Sequence, residues 1–220
     1  MKPPLPTRRR VLATAAAAVL APTLALLAGC GRKPPQQSAL PAGATVLVLG
    51  DSLTSGVGTT PEAAYPALLQ QRTGWQVVNA GVSGNTSAQG RERLGPLLAQ
   101  HKPALVIVGL GGNDFLRRVS TAETREHLRA IVQASRDADA QVLLVAVPAP
   151  SLLAAAGHLQ DHALYAELAD ALQVPLHAKG WSEVLSDERL RADAIHANSA
   201  GHTRFAEGLE QTLRRVGWWR

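Results

Sequence analysis

Cysteine is almost absent from these 220 residues. Cys30 is the only one, so no intramolecular disulfide can form, even in an oxidising compartment where disulfides persist. Aromatic residues make up only 4%, which leaves the core to aliphatic side chains. A clustered excess of Lys and Arg is also missing. The formal net charge of +5 rests mainly on Lys2, Arg8, Arg9 and Arg10, and removing these four takes the 22 basic residues to 18 against 17 acids. Arg32 and Lys33 then lie in a linker, so the remainder is near neutral and no nucleic-acid partner is expected. No internal repeat is present. "GDSLTSGVG" lacks the GK[ST] ending of a phosphate loop and is not a G-x-S-x-G elbow.

The N-terminal 29 residues have the three-part layout of a secretory signal: basic "MKPPLPTRRR", then the charge-free run "VLATAAAAVLAPTLALLA" and a small-residue ending. Pro22 and the many alanines argue against a permanent membrane span. "LAGC", residues 27–30, resembles a bacterial lipobox, which implies that Cys30 becomes a lipidated first residue and anchors the protein to a membrane. "TRRRVLA" also resembles a twin-arginine signal. The expectation is an exported lipoprotein facing the periplasm. Gly31 stands where an Asp is associated with inner-membrane retention, so the resemblance points to the outer membrane. Residues 30–43, with the Pro-rich "GRKPPQQSALPAG" after Cys30, read as a flexible tether. The domain proper is expected over 44–220.

From residue 44, short apolar runs alternate with amphipathic segments. "ATVLVLG" (44–50), "WQVVNA" (75–80), "ALVIVGL" (104–110), "QVLLVAV" (141–147) and "VPLHA" (174–178) lack polar alternation, as strands buried on both faces do. Helices are expected over 60–74, with Thr60 as N-cap and Pro61 at the first helical position, and over 86–99, 120–138, 159–173 and 199–216. Ser120 and Glu123 have capping-box spacing. The alternation predicts an α/β domain with a parallel sheet between two helical layers.

Ligands in such folds bind beyond the carboxyl ends of the strands, which is where the Gly-containing knots fall. "GDS" follows the first run, "NAGVSGN" the second and "GGND" the third. A serine hydroxyl needs a base to act as a nucleophile, and the base needs an orienting acid. "DAIH" offers both, with Asp193 three residues before His196. The Ser52 N–H, the Gly84 backbone and the Asn113 side-chain amide are candidate donors to an oxyanion.

Together these blocks resemble those of the SGNH, or GDSL, hydrolases, and the bacterial thioesterase I, lysophospholipase and arylesterase branch in particular. The resemblance implies a flavodoxin-like three-layer α/β/α sandwich with five parallel strands. It implies Ser52 as nucleophile, His196 as base, Asp193 as its orienting acid, and Ser52, Gly84 and Asn113 as the oxyanion hole. It also implies an acyl site bordered by the loop after the fourth strand, where Leu152 and Leu153 would meet the acyl chain. No cofactor or metal is implied, and the partner is a small-molecule or lipid ester. A carbohydrate O-acetylesterase and a non-catalytic lipid- or glycan-binding lipoprotein remain the alternatives.

Several other residues are read structurally. Asp51 and Asp114 are expected to bond to nearby backbone N–H groups, and Asn198 or Ser199 to cap the last helix. His158 and His162 are expected on one solvated helix face, and Trp218 and Trp219 as a packing cap or an interface contact. His202 with His196 and Asp193 lacks the further ligand cluster that a metal site needs.

Overall fold

Val, Leu and Ile runs bounded by Gly assemble into a five-stranded parallel sheet in the computed structural model, which describes Met1 and residues 38–149 and 158–220. The strands are β1 (Thr45–Gly50), β2 (Gln76–Gly81), β3 (Leu105–Gly109), β4 (Gln141–Val145) and β5 (Leu176–His177). Their order is β2-β1-β3-β4-β5, the flavodoxin-like order, as the resemblance implies. β1, β3 and β4 are buried almost throughout, whereas β2 at the edge is half exposed. This explains why β2 has the least apolar run. β5 is reduced to two paired residues.

The helices are α1 (Ser52–Ser55), α2 (Tyr65–Thr73), α3 (Ser87–His101), α4 (Gly112–Leu116), α5 (Thr121–Asp137), α6 (Leu164–Leu172), α7 (Gly180–Ser186) and α8 (Ser199–Val216). α3, α5 and α6 pack together on one face of the sheet, and α2, α7 and α8 on the other. Leu128, Ile131 and Val132 of α5 and Phe205, Leu209 and Leu213 of α8 bring apolar stripes to the core, with period-3.6 spacing.

Two expected elements differ in detail. Residues 60–74 form a 3-10 turn at Pro61–Ala63 and then α2, and Thr60 makes no side-chain cap. Ala64 stays extended, as the residue two before Pro66 at the start of the next helix. The helix expected from 159 begins only at Leu164, because Asp161 pairs with Pro148 in an antiparallel bridge. His158 and His162 therefore share no helix face. His162 instead stacks on Phe115 at 4.2 Å. The capping expectations hold in part: the Glu123 N–H donates to Ser120 Oγ at 3.1 Å, and Ser120 Oγ–H turns to the Glu123 carboxylate. Asn198 caps α8 through the Gly201 N–H.

Contacts with the domain begin before residue 44. The Leu40 N–H donates to Trp218 O at 2.9 Å, and Gln141 Nε2 reaches Ser38 O. Trp218 is fully buried, and the Arg214 guanidinium lies 3.8 Å over the ring of Trp219, so both tryptophans have intramolecular packing roles. Residues 2–29 of the expected signal, Cys30, residues 31–37 of the tether, Leu152 and Leu153 all lie outside the described residues.

Gly81 joins the fold to the loop carrying Ser52. A Cβ at this position would overlap the Thr54–Ser55 backbone, with Thr54 C at 2.6 Å. Because the obstacle is backbone in α1, no side-chain rotation relieves it. Gly81→Ala is expected to cost roughly 1–3 kcal/mol, read as a lower urea midpoint at unchanged slope.

Candidate active site

The strand order reverses between β1 and β3, and the loops leaving these two strands bound the crevice there. Gly50 and Gly109 are paired neighbours at that edge. β1 delivers Asp51 and Ser52, and β3 delivers Asn113 through α4. Asp51 caps α1, accepting the Leu53 N–H at 3.1 Å, and Ser52 is the first residue of that helix.

The third contributor is the turn before α8. Asp193 Oδ1 accepts the N–H groups of both Ile195 and His196 at 2.8 Å. Its Oδ2 lies 2.7 Å from His196 Nδ1. The Ala192 N–H returns to His196 O, and Asn198 Nδ2 binds the carbonyls of Arg189 and Arg191. Acid and imidazole are thus fixed within one short, self-bonded turn. The hydrogen bond from His196 is the main cause that holds the Asp193 carboxyl below the usual carboxylate range.

His196 Nε2 lies 3.1 Å from Ser52 Oγ, across 144 positions of sequence. Two features seat the turns against each other. Gly58, at φ +93°, leaves room for Ala197 O and the Ala192 methyl, and Thr59 Oγ1 bonds Ser199 Oγ at 2.6 Å. The hydroxyl, imidazole and carboxylate expected from "GDS" and "DAIH" are therefore in hydrogen-bonding sequence. A base within reach of a hydroxyl, itself oriented by an acid, can accept the hydroxyl proton.

Asn113 connects the other two loops. Its Nδ2 donates to Asp51 Oδ2 at 3.3 Å and to Asn85 O at 3.1 Å, touching the chain neighbours of Ser52 and Gly84. Gly84 adopts φ +79°, a conformation that glycine reaches without Cβ strain. Arg117 holds its carbonyl at 2.9 Å, turning the peptide so that its oxygen is occupied on that side. Ser52, Gly84 and Asn113 are thereby brought to one rim of the crevice.

The sequence reading missed three supports. Arg93 reaches back from α3 to bind Asn85 Oδ1 at 2.7 Å and Gly50 O at 2.8 Å. A cation two turns into an amphipathic helix offers no sign of this role. Asp114 departs from the expectation of a local turn bond. It is fully buried and accepts the N–H and hydroxyl of Ser87, with Thr124 Oγ1 more distant at 3.4 Å. This ties α4 to the start of α3. Tyr165 donates to Leu110 O at 2.6 Å and supports the same segment from beneath. His202 is buried, and its Nδ1 accepts the Tyr65 N–H at 3.3 Å.

Beside Ser52 lies a cleft of about 320 Å³. Its walls are mostly apolar, including Leu53, Phe115, Leu116, Leu159, Leu185 and Ile195. Leu116 and Ile195 are among the few large apolar side chains left exposed, and both edge this cleft.

Residues 48–204 match the GDSL-like Lipase/Acylhydrolase family. The chain is 39% identical over 175 residues to thioesterase 1/protease 1/lysophospholipase L1 of Escherichia coli K12, covering 77% of this chain and 83% of that protein. It is 30% identical over 174 residues to an arylesterase of Vibrio mimicus, covering 76% and 87%. The crystal structure of TesA superposes with a TM-score of 0.70 at 34% identity, covering 78% of this chain and 99% of that one.

Asp51 gives the site a measurable pH signature. Burial pushes its carboxyl from 3.8 up to about 6, against the lowering effects of the Leu53 N–H, His196 and Asn113. The folded state therefore binds this proton more tightly than the unfolded chain does. Stability is lost as pH rises through that window. Asp51→Asn removes the titration, so the variant is expected to gain stability relative to the parent between about pH 4 and 6, by up to about 3 kcal/mol. Urea titrations across that range test this, and a constant difference between the two proteins would contradict it.

Proposed function

The chain belongs to the GDSL-like lipase/acylhydrolase family and is a hydrolase of that family, and on this premise we propose that it is a serine esterase cleaving acyl esters or thioesters through an acyl-enzyme. The observation that carries this reading is the continuous path Ser52 Oγ, His196 Nε2, His196 Nδ1, Asp193 Oδ2, with separations of 3.1 and 2.7 Å.

Ser52 attacks the acyl carbonyl while His196 Nε2 takes the hydroxyl proton. Asp193 keeps Nδ1 protonated, so Nε2 presents a lone pair to the serine. The negative charge on the former carbonyl oxygen is met by the N–H groups of Ser52 and Gly84 and by Asn113 Nδ2. Each such donor is typically worth about 3 kcal/mol of transition-state stabilisation. His196 then protonates the leaving alcohol or thiol, and water activated by the same imidazole releases the acid.

The apolar cleft favours a hydrocarbon acyl or aryl group over a sugar, since its walls offer few hydrogen-bond partners to hydroxyls. Lysophospholipids, aryl esters and short-to-medium acyl esters are the substrate classes that fit. The enzyme names of the E. coli and Vibrio relatives support the same classes. Leu152 and Leu153 extend the apolar lining in this reading, which rests for them on the family resemblance.

We also propose that residues 1–29 are an export signal, that Cys30 carries the lipid, and that residues 30–43 join it to the domain at 44–220. This reading places the enzyme in the periplasm on a membrane anchor, with the outer membrane favoured. The basic-apolar-"LAGC" layout supports it. Export makes a cytosolic thioester a poor candidate for the natural substrate, so lipid and aryl esters are preferred.

Ser52→Ala is expected to lower kcat on p-nitrophenyl esters by about a thousandfold or more in the full-length protein. Activity that persists within tenfold would remove Ser52 from the chemistry. In cells fed an alkyne-tagged fatty acid, the parent is expected to take up label in the membrane fraction and Cys30→Ala to lose both label and membrane association. Labelled, membrane-bound Cys30→Ala would refute the anchor.

A further inference from the structure

One residue in the cleft wall is at odds with a purely hydrocarbon substrate. Arg191 lines the cleft together with Leu159, Leu185 and Ile195. Among the described residues lining it, only Asp51 and Arg191 are charged, and Asp51 is buried and engaged by Leu53 and Asn113. Among the described residues, Arg191 is thus the one fixed positive charge lining this cleft.

Its backbone is held by the turn that carries Asp193 and His196. Its backbone pairs with Ala197 in an antiparallel bridge, and its carbonyl accepts Asn198 Nδ2 at 3.1 Å. These are the bonds that hold the Asp193–His196 turn, so the backbone of Arg191 is held by the same unit as His196. The Arg191 side chain is 21% exposed, whereas its ion-pair partner Glu188, at 2.9 Å, is 88% exposed. An ion pair with so exposed an acid contributes little, and the carboxylate is displaced at small cost. An oxyanion bound from inside the cleft meets the same guanidinium against apolar walls, where screening by water is weaker. The planar fork suits carboxylate or phosphate oxygens.

We propose that Arg191 is a specificity-determining residue and that the preferred ester carries an anionic oxygen group, a carboxylate or a phosphate, which the Arg191 guanidinium takes over from Glu188. This rests on the ester-hydrolase reading above. The hydrocarbon part of such a substrate occupies the apolar walls, and the anion fixes its direction in the cleft. The anion is distant from the bond being cleaved, so its contribution is uniform binding, expressed in KM more than in kcat.

Two matched substrate pairs test it. Mono-p-nitrophenyl glutarate against p-nitrophenyl pentanoate places a carboxylate or a methyl at the end of the acyl group. Lysophosphatidic acid against the monoacylglycerol of the same chain places a phosphate on the leaving group or omits it. The parent is expected to favour the anionic member of one pair, and that pair identifies the source of the anion. Arg191→Gln is expected to reduce the anionic-to-neutral ratio of kcat/KM by about tenfold or more, mainly through KM, and Arg191→Lys to restore part of it. Glu188→Gln, an exposed change that spares the fold, is expected to raise the ratio by removing the competing carboxylate. The proposal is overturned if Arg191→Gln and Glu188→Gln each leave both ratios within about twofold of the parent. If the parent cleaves none of the four esters, the hydrolase reading falls with it. Turnover with unmoved ratios rejects the role of Arg191 alone.

Discussion

A buried carboxylate joins the Ser52 and Asn113 loops of this site. Asp51 sits at the reversal point of the sheet, where burial opposes its charge strongly enough to raise its carboxyl to about 6. Only a few bonds offset that cost: the Leu53 N–H that starts the helix of Ser52, and the Asn113 amide that arrives from β3. Loss of either donor would leave an acceptor unsatisfied inside the protein. The Ser52 turn and the Asn113 turn are therefore held together by a shared need for hydrogen bonds, not by apolar contact alone. Asn113 passes the constraint on to Asn85, and Arg93 clamps Asn85 to Gly50. Beneath, Asp114 locks the same helix to Ser87. Short polar bonds thus fix a rim that the sheet only approximately positions.

The imidazole of His196 arrives by different physics. The Asp193–His196 turn is organised by its own hydrogen bonds and needs only to be seated against the serine loop. Glycine at position 58 permits that seating, since any side chain would meet Ala197 or Ala192. The division has a functional sense. The acid stays exposed and ionised, so its partner imidazole keeps a defined tautomer, while the donors expected to meet the oxyanion sit in a drier crevice where each counts for more. The cleft beside them combines hydrocarbon walls with one guanidinium, which suits an amphipathic ester.

Most of the architecture could be read from local pattern. The Val-rich runs from Thr45, Leu105 and Gln141 have no polar alternation, and a strand with that composition must be covered on both faces. Parallel strands then place every β-to-α turn at one edge, so "GDS" and "GGND" acquire a common location before any coordinate is known. The legible site residues, Ser52, Gly84, Asn113, Asp193 and His196, all lie in such turns or in the self-bonded loop before α8. Boundaries were less legible where a tertiary pair competed with helix propensity. Asp161 pairs with Pro148 and delays α6, and this moved His162 from a helix face to the ring of Phe115.

By itself, then, the sequence determined what depends on neighbours along the chain: which runs are buried strands, which turns gather Gly, Ser, Asp and Asn, and how Asp193 can reach His196. Tertiary structure alone decided what depends on approach across distance. The 3.1 Å contact between Ser52 and His196, the reach of Arg93 to Gly50, the burial of Asp114 on Ser87 and the entry of Arg191 into the cleft wall each join segments through space. A side chain of Arg or Asp has the same local preferences whether it ends in water or in a core. Only the packing of the elements around it sets its partners, its dielectric surroundings and therefore its role.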